Sequence, residues 1–405
     1  MKILYISYDG MTDPLGQAQV IPYLQVLSKK YHHQYVLLSF EKRENYELNK
    51  AKIHKLLADA NIIWEPRFYT KKPPVLSTLI DIYTMYKSAF SIQKKHQIEI
   101  VHCRSYISAL VGELLKKTSK VKFLFDMRGF WADERVEGGL WNLESKIYAK
   151  IYQFFKKKEK DFLLNANHII SLTNNAKKEI LGREGMSTLN ISVIPCCVNT
   201  TQFSKENINY TLLRETKEKY NINDNETLIS YIGSLGTWYM ADEMLDFYNE
   251  FKVKYKQSRF FFITPDKPEI IYNAAAKKGI TKDELIILKA EREQIPTLLT
   301  LSKLSIFFIK PSYSKKASSP TKQGELMSMG VPIICNANVG DTDYIVHNYN
   351  SGLVIQNFTQ HDYKEAVNAV EKLFTLSYES LHDGAIDYFS LEKGAKMYHN
   401  AYQSC

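Results

Sequence analysis

The sequence has few cysteines and no long hydrophobic run, and each absence excludes a class of protein. Its 405 residues contain 5 cysteines, an odd number, and no Cys-x-x-Cys or Cys/His spacing of a zinc site occurs. A disulfide scaffold and a zinc module are therefore excluded, and we expect reduced, buried thiols. No stretch approaches the roughly 18 uninterrupted apolar residues of a membrane-spanning helix, and the apolar run that begins at Ile3 is too short for a secretory signal. Together these absences predict a cytoplasmic chain.

Two recognition motifs are also missing. The loop Asp9–Gln19 lies between a predicted strand and a predicted helix, but its glycines do not form the G-x-G-x-x-G pattern of a dinucleotide site. The formal net charge of +9 permits attraction to nucleic acid, anionic lipid or phosphorylated substrates. Because no nucleic-acid-binding motif accompanies this charge, we expect no nucleic-acid partner.

The order of apolar segments predicts the fold class. The length is that of two domains of roughly 200 residues each. Short apolar strands alternate with helical patterns in both halves, which predicts an α/β protein with two Rossmann-like domains facing a central cleft. An irregular segment, Cys196–Phe203, separates the halves.

The stretch from Ala317 to Cys335 combines a loop, a helix and a buried strand. Ser319 is suited to cap the helix and Pro320 to occupy its first position. Gly330 is suited to the left-handed residue that ends a helix. The apolar residues that follow are typical of a strand in a parallel sheet.

Two charged residues mark this helix as a candidate anion site. The first turn of a helix attracts anions, so the cation Lys322 is unfavourable there unless an anion such as phosphate binds nearby. Glu325 lies three residues further on, on the same face, where its carboxylate can accept hydrogen bonds from sugar hydroxyls. This layout is typical of a nucleotide-sugar site. The alternative is an ordinary surface helix with an i,i+3 Lys–Glu pair.

A second charged cluster, Asp126–Arg135, is predicted to form the loop after a strand of the first half. In open α/β sheets ligands collect at the carboxyl ends of strands, so this cluster is a candidate for substrate contacts. The alternative is a surface salt-bridge cluster. The predicted helix Leu143–Leu164 mixes aromatic residues with lysines over 146–158, which favours either contact with a membrane surface or a packed helix with a solvated basic face.

Four sequence blocks, in their order and spacing, resemble the retaining GT-B glycosyltransferases of family 4, also called group 1. The blocks are the loop at Gly16, Val193–Asn199 followed by Phe203, Tyr231–Leu235, and Ser319–Ile334. The resemblance spans nearly the whole chain. It implies an acceptor domain over 1–199, completed by a C-terminal helix over 390–405, and a nucleotide-sugar donor domain over 200–389.

The resemblance also implies roles for individual residues. Glu325 matches the second Glu of the family's Glu-x7-Glu signature, which holds the donor's ribose. Asp126 and Arg128 lie where the family often has an active-site His, so both are candidate catalytic residues together with Lys322 and Glu325. The remaining matches to the donor-binding helix start and loops are Ser319, Thr321, Lys322, Gly233, Ser234 and Gly16.

This chain departs from the family pattern at the donor site. Ala317 stands where the signature has its first Glu, and Ser234 and Tyr239 stand near the positions of the family's Arg and Lys. Lys322 is therefore the main candidate to neutralise the leaving group. Arg292, which follows another predicted strand, is a second candidate.

The resemblance implies a hexosyl or N-acetylhexosaminyl transferase. We expect a nucleotide-diphosphate sugar as donor, with a UDP-sugar favoured, and neither metal nor cofactor. The acceptor would be a glycan or a polyprenyl-linked intermediate of capsule, O-antigen or exopolysaccharide synthesis, and the sugar would keep its anomeric configuration. On the acceptor side we expect Arg104, Asp133 and Glu134, and we expect peripheral membrane contact through helix 146–158 at the inner face of the membrane.

Two other functions fit the same sequence. A non-catalytic sugar-nucleotide-binding or partner subunit is favoured by Ala317 in place of Glu. A nucleotide-sugar epimerase would need acid/base carboxylates, for which Asp133 and Glu134 are available.

Overall fold

The structure, a computed structural model, describes residues 1–73 and 75–405. These residues form two compact units, one of Met1–Cys197 with Leu391–Cys405 and one of Val198–Ser390. The domain boundaries predicted from the sequence, 199/200 and 389/390, lie close to these. The fold-class prediction of two parallel α/β domains is confirmed.

The described residues of the first unit form a parallel sheet in the order β3-β2-β1-β4-β5-β6-β7. Its strands are apolar and largely buried because helices cover the sheet, as is usual for parallel sheets. The strands are β1 Lys2–Ser7, β2 Gln34–Glu41, β3 Ile63–Phe68, β4 Ile100–Arg104, β5 Lys122–Asp126, β6 His168–Ser171 and β7 Ile191–Val193. The helices that precede residue 198 are α1 Pro14–Gln19, α2 Ile21–Tyr31, α3 Arg43–Ala58, α4 Leu76–His96, α5 Ser105–Ser119, α6 Trp131–Glu137, α7 Lys146–Asn165 and α8 Asn174–Leu181.

The second unit repeats this plan, with the sheet order β10-β9-β8-β11-β12-β13 in the described residues. Its strands are β8 Thr227–Ile232, β9 Ser258–Ile263, β10 Leu285–Leu288, β11 Leu304–Phe307, β12 Ile333–Asn336 and β13 Gly352–Ile355. Its helices are α9 Tyr210–Lys219, α10 Ala241–Lys254, α11 Pro268–Ala276, α12 Ile295–Leu299, α13 Thr321–Ser328, α14 Thr342–Asn348, α15 Gln360–Ala369 and α16 Tyr378–Phe389, with short 3-10 turns between them.

The last helix, α17 Leu391–Gln403, returns to the first unit and packs against α2. Three histidines near the sheet of the first unit contact residues of α17 or the residue that follows this helix. The Nε2 of His33 lies 3.0 Å from the Nδ1 of His399, and the Nδ1 of His102 lies 2.7 Å from the hydroxyl of Tyr402. The third, His168, lies 3.0 Å from the hydroxyl of Ser404, just after the helix.

Three local predictions are wrong. The loop predicted over Asp9–Gln19 contains α1, and the loop predicted over Asp126–Arg135 contains most of α6. Both helices are too short for a hydrophobic period to be visible in the sequence. Helix α13 begins at Thr321, one residue later than predicted, because Pro320 has an extended backbone and itself takes the capping position, so Ser319 is not the cap.

Other local predictions are confirmed. Gly330 has a φ of +68° after α13, as expected of the residue that ends a helix. Four of the 5 cysteines are buried, and Cys405 is partly exposed.

Across residues 1–73 and 75–405, no helix combines the length and hydropathy that crossing a bilayer demands.

Candidate functional site

Helix α13 carries the two charged residues of the predicted anion site, and the helix is buried. Lys322 is 8% exposed and Glu325 is 6% exposed. Gly324, between them, is packed so closely that an added Cβ would lie 2.8 Å from the ring of Phe389. The alternative of a surface helix with a solvated Lys–Glu pair is therefore wrong, because neither side chain faces solvent.

The ammonium of Lys322 lies between two aromatic rings. Its Nζ is 3.5 Å from the ring centroid of Tyr239 and 4.1 Å from that of Tyr231. Within the described part of the chain it has no hydrogen-bond partner. Gly233 also approaches it: the backbone φ is +98°, and a Cβ there would lie 3.5 Å from Nζ. We call this arrangement of Lys322, Tyr231, Tyr239 and Gly233 the lysine cage.

The surroundings of Lys322 disfavour its charge while no anion is bound. Burial lowers the pKa of its ammonium well below the usual value, and the carboxylate of Glu325 opposes only part of that shift. A buried cation without hydrogen bonds is unfavourable, and an anion placed beside it would satisfy both its charge and its N–H groups. The electrostatics of the lysine cage therefore favour an anion beside Lys322.

Glu325 pairs with Arg292 and not with Lys322. The Oε1 of Glu325 lies 2.8 Å from the Nη2 of Arg292, at the start of a 3-10 turn after β10. The guanidinium also lies 5.1 Å from the ring centroid of Phe203. The structure thus brings together the residue predicted to hold a ribose and one predicted to contact the diphosphate. Since the arginine neutralises the carboxylate, the cation of Lys322 remains available for another partner.

The loop that follows β8 is held by Asp266, a residue that the sequence analysis missed. Its carboxylate accepts hydrogen bonds from the Ser234 hydroxyl at 2.9 Å and from the Leu235 amide at 2.6 Å. The hydroxyl of Tyr231 donates to the Ser234 carbonyl at 2.7 Å. Ser234 is therefore tied to its own loop. The sequence signal for Asp266 was a carboxylate directly after a buried strand.

Two aromatic residues of the same loop were also not predicted as site residues. The ring of Tyr239 forms one wall of the lysine cage, and the ring of Trp238 lies 3.6 Å from the buried Nζ of Lys315. Their signal was the sequence Trp238-Tyr239 after a strand and a glycine-containing turn. Cation–π contacts of this kind depend on distant residues, so no sequence spacing reveals them.

The N-terminal loop at Gly16 is shaped by the buried carboxylate of Glu41. Glu41 accepts hydrogen bonds from the amides of Met11 at 2.8 Å and Thr12 at 3.0 Å. Gly16 packs against this loop so tightly that a Cβ would lie 2.3 Å from the carbonyl oxygen of Gly10. The predicted donor contact of Gly16 stays a prediction, and the structure shows a close backbone approach that only glycine permits.

Asp126, at the end of β5, is fully buried and anchors α17. Its Oδ2 accepts a hydrogen bond from the Tyr398 hydroxyl at 3.0 Å and lies 3.4 Å from the Nε2 of His102. Its Oδ1 lies 3.8 Å from the guanidinium of Arg128. Burial raises the pKa of this carboxyl, but Arg128 and His102 outweigh burial and hold it below its usual value. This geometry is that of a structural anion, and the catalytic role predicted for Asp126 stays a prediction.

Of the two arginines near Asp126, Arg104 is buried and Arg128 has a side chain that is 9% exposed. Arg128 has a left-handed backbone, φ +58°, and its Nη2 lies 3.3 Å from the Sγ of Cys196. Arg104, paired with Asp126 in the register of β4 and β5, donates from Nε to the Oδ2 of Asp9 at 3.3 Å. The structure thus gathers Asp126, Arg128 and Arg104 at one edge of the first sheet.

The other acceptor-side candidates lie apart from this group. Both carboxylate oxygens of Asp133 are engaged, one by the Tyr152 hydroxyl at 2.8 Å and one by the Lys156 ammonium at 2.7 Å. Glu134, its neighbour on α6, is partly exposed. An acid/base role for Asp133, as in an epimerase, is disfavoured because these contacts hold its carboxylate in the α6–α7 contact.

The basic segment 146–158 is less basic than its sequence indicates. Lys156 pairs with Asp133 and Glu159, and Lys158 pairs with Glu113. These contacts neutralise part of the charge that favoured a membrane surface. Membrane contact through this segment stays a prediction.

The described residues contain no group of 3 or more His, Cys, Asp or Glu side chains arranged to hold a metal ion. In the candidate site, Lys322 and Arg292 supply positive charge from their side chains.

Both halves of the chain match known glycosyltransferase families. The profile described as Glycosyltransferase Family 4 matches residues 24–202, and that described as Glycosyl transferases group 1 matches residues 214–381. A search of curated proteins found no match.

Solved structures with the same fold cover nearly the whole chain. A glycosyltransferase from Rickettsia africae ESF-5 has 18% identity and a TM-score of 0.70, with 99% of this chain and 97% of that one covered. Sucrose-phosphate synthase from Thermosynechococcus elongatus has 14% identity and a TM-score of 0.72, covering 100% and 98%. HepE of Anabaena in complex with UDP-glucose has 12% identity and a TM-score of 0.70, covering 100% of both chains.

These structures establish the fold, and the two profile matches cover both α/β domains. Together with the parallel sheets of the two units, they identify the chain as a glycosyltransferase of the GT-B fold, with a family 4 domain followed by a group 1 domain.

Proposed function

We propose that the chain transfers a sugar from a nucleotide-diphosphate sugar to a glycan or polyprenyl-linked acceptor. The favoured donor is a UDP-sugar. Transfer would retain the anomeric configuration, need no metal, and serve the synthesis of a bacterial surface polysaccharide. The observation that carries the proposal is the lysine cage, a buried cation with no hydrogen-bond partner among the described residues. The similarity in fold to HepE, whose structures contain UDP and UDP-glucose, supports the choice of donor.

The chemistry of the leaving group explains why such a cation is needed. When the bond between the sugar and the diphosphate breaks, negative charge accumulates on the departing phosphate. Fixed donors and cations in a water-poor site stabilise that charge without reorganisation. Lys322, at the start of α13, would contact the diphosphate, and Glu325, oriented by Arg292, would accept hydrogen bonds from the ribose hydroxyls.

The first unit would bind the acceptor. Arg104, which is buried, and Arg128, whose side chain is 9% exposed, are cations at the carboxyl edge of its sheet, where α/β proteins bind ligands. Their pairing with Asp9 and Asp126 leaves the edge close to neutral, as suits a sugar hydroxyl better than a phosphate.

Donor binding tests the site directly. We expect Lys322→Met and Glu325→Gln each to weaken UDP-glucose binding by about tenfold or more, since each removes a hydrogen bond to a charged group. Isothermal titration calorimetry measures the affinity. The matched control is Lys303→Met, an exposed lysine of the same unit, which should bind as the wild type does. Unchanged affinity in both site variants would overturn the proposed site.

Turnover separates a transferase from a non-catalytic binding subunit. Ala317, which replaces the first Glu of the family signature, is 2% exposed in the turn before α13, so the position is enclosed. We expect the purified chain to release UDP from a UDP-sugar in the presence of a polyprenyl-linked acceptor. Donor binding without turnover of any sugar in a donor panel would favour the binding subunit instead.

A further inference from the structure

Helix α4 presents an apolar face to solvent. Leu76, Leu79, Ile80 and Tyr83 are between 46% and 61% exposed. Their spacing of three, four and seven residues places them on one face of the helix. A surface helix normally has polar residues on its outward face, so this exposed stripe requires a physical explanation.

The orientation of α4 is fixed by polar contacts on its inner face. Asp81 is buried, and its Oδ2 accepts hydrogen bonds from the Tyr8 hydroxyl at 2.8 Å and the Thr70 amide at 3.1 Å. Ser88, also on the inner face, accepts from the Nε of Arg67 at 2.8 Å. Rotating the helix to bury the apolar stripe would break these bonds, so the stripe belongs to the folded surface.

Lysines lie on both sides of the stripe. Lys71 and Lys72 precede the helix, and Lys87, Lys94 and Lys95 occupy its second half. All are exposed, and within the described part of the chain Lys71 alone among them forms an ion pair, a solvent-exposed contact with Glu44 at 3.3 Å. The single acidic residue of α4, Asp81, is buried.

Aromatic rings accompany these lysines. The Nζ of Lys87 lies 5.3 Å from the ring centroid of Tyr83, and that of Lys94 lies 5.1 Å from the ring of Phe90. Tyrosine and lysine side chains are typical of the boundary between the acyl region and the headgroups, because each has an apolar body and a polar end.

We propose that α4 binds to the surface of an anionic bilayer, with Leu76, Leu79, Ile80 and Tyr83 inserted at the headgroup boundary and the surrounding lysines in contact with lipid phosphates. The charge pattern selects this partner over a second copy of the chain. A symmetric contact between two copies would bring the lysines of both helices together, and like charges oppose such an interface. Anionic lipid headgroups attract the same lysines.

The proposal assigns the membrane contact to a different helix from segment 146–158. On α7, Lys156 and Lys158 are held in ion pairs, whereas Lys87 and Lys94 of α4 are exposed and lie beside aromatic rings. Membrane binding through α4 requires no sugar donor, so it can be tested apart from the transferase activity.

Vesicle binding tests the proposal. The full chain is sedimented with vesicles of phosphatidylcholine alone and of phosphatidylcholine with phosphatidylglycerol. We expect binding to the anionic vesicles only, weakened by high salt. The double variant L79Q/I80Q should lower the partition coefficient by about tenfold, because it removes two inserted side chains. Circular dichroism and UDP-glucose binding confirm that the variant is folded.

Two matched controls make the result decisive. Leu48→Gln changes an isolated exposed leucine on α3, 82% exposed, and should leave vesicle binding unchanged. The variant I147Q/F154Q changes the two exposed large apolar residues of segment 146–158 on α7. Equal binding of the wild type and L79Q/I80Q, a loss confined to I147Q/F154Q, or a dimer that the α4 variant dissociates would each overturn the proposal.

Discussion

At the scale of single residues, the proposed donor site depends on a lysine that is not paired with a carboxylate. Lys322 lies against two tyrosine rings, and the nearby Glu325 is paired with Arg292. An ammonium in such surroundings gives up its proton more readily than one in water, because burial penalises the charged form. Its charge state therefore depends on whether an anion is bound.

This dependence predicts coupling between donor binding and proton uptake. Lys322 faces Tyr231, Tyr239 and Glu325. The carboxylate of Glu325 raises the pKa of Lys322, but burial of the ammonium has the larger effect and lowers it. Between that lowered pKa and the usual value of 10.5, free Lys322 is neutral and the diphosphate-bound form is charged. We therefore expect UDP-glucose affinity to fall as pH rises through this window. Calorimetry in two buffers of different ionisation enthalpy measures the proton taken up.

Lys322→Met provides the control for this pH effect. Its residual affinity should be independent of pH in the neutral part of the same window, where neither the phosphates nor the uracil ring of UDP-glucose titrates. An equal pH dependence in the wild type and the variant would show that another group takes up the proton.

At the scale of elements, the ends of helices decide where the site residues lie. Helix α13 ends at Ser328, and Gly330, whose φ is +68°, turns the chain towards β12. Tyr378 of α16 packs against this turn so closely that a Cβ on Gly330 would lie 2.5 Å from its ring. The orientation of α13 thus depends on Gly330, and the positions of Lys322 and Glu325 depend on that orientation.

Replacing Gly330 by alanine should destabilise the second unit through strain and a clash. We expect Gly330→Ala to lower the free energy of unfolding by about 2 to 4 kcal/mol, the sum of a left-handed backbone strain and overpacking. The matched control is Gly279→Ala, with a φ of +71° and nothing within 4 Å of an added Cβ, which should lose about 1 kcal/mol from strain alone. Denaturant unfolding measures both. Equal losses in the two variants would mean that Tyr378 moves aside.

At the scale of the whole molecule, the chain returns at its C-terminus to the unit where it began. His33 and His102 contact residues of helix α17, and His168 contacts Ser404, just after the helix. Burial is the largest cause that lowers the pKa of each, to about 4 for His33. These histidines are therefore neutral in the folded protein at neutral pH.

This attachment predicts acid sensitivity of the first unit. Since the folded-state pKa values lie below the unfolded value of 6.5, the unfolded chain binds more protons between about pH 4 and 6.5. The contribution of these histidines to the free energy of unfolding is therefore fully present above pH 6.5 and is lost as pH decreases through this window. Thermal unfolding at a series of pH values should show it.

Variants separate these histidines from other acid effects. His33→Gln should flatten the decline of the unfolding temperature between pH 6.5 and 4, the window set by the lowered pKa of His33. His361→Gln, at an 80% exposed side chain of the second unit, should follow the wild-type curve. An unfolding temperature that rises on acidification would contradict the prediction.

The sequence by itself determined the fold class, because strand and helix periods are local and repeat along both halves. It also predicted Lys322, Glu325, Gly233 and Arg292 as site residues, since ligands of α/β proteins bind where strands and helices meet, and this stays a prediction. It could not show that Arg292 pairs with Glu325, or that Asp126 is enclosed by His102 and Tyr398.

Only the tertiary structure decided these partners, because each pair joins residues far apart in the chain. The apolar residues of α4 make the same point: their period of three and four was visible, but which face is exposed depends on the bonds of Asp81 to Tyr8 and Thr70. The lysine cage likewise forms only when the loop after β8 and the start of α13 meet. Local sequence patterns fix secondary structure, whereas burial and the pairing of charges arise from contacts between distant segments.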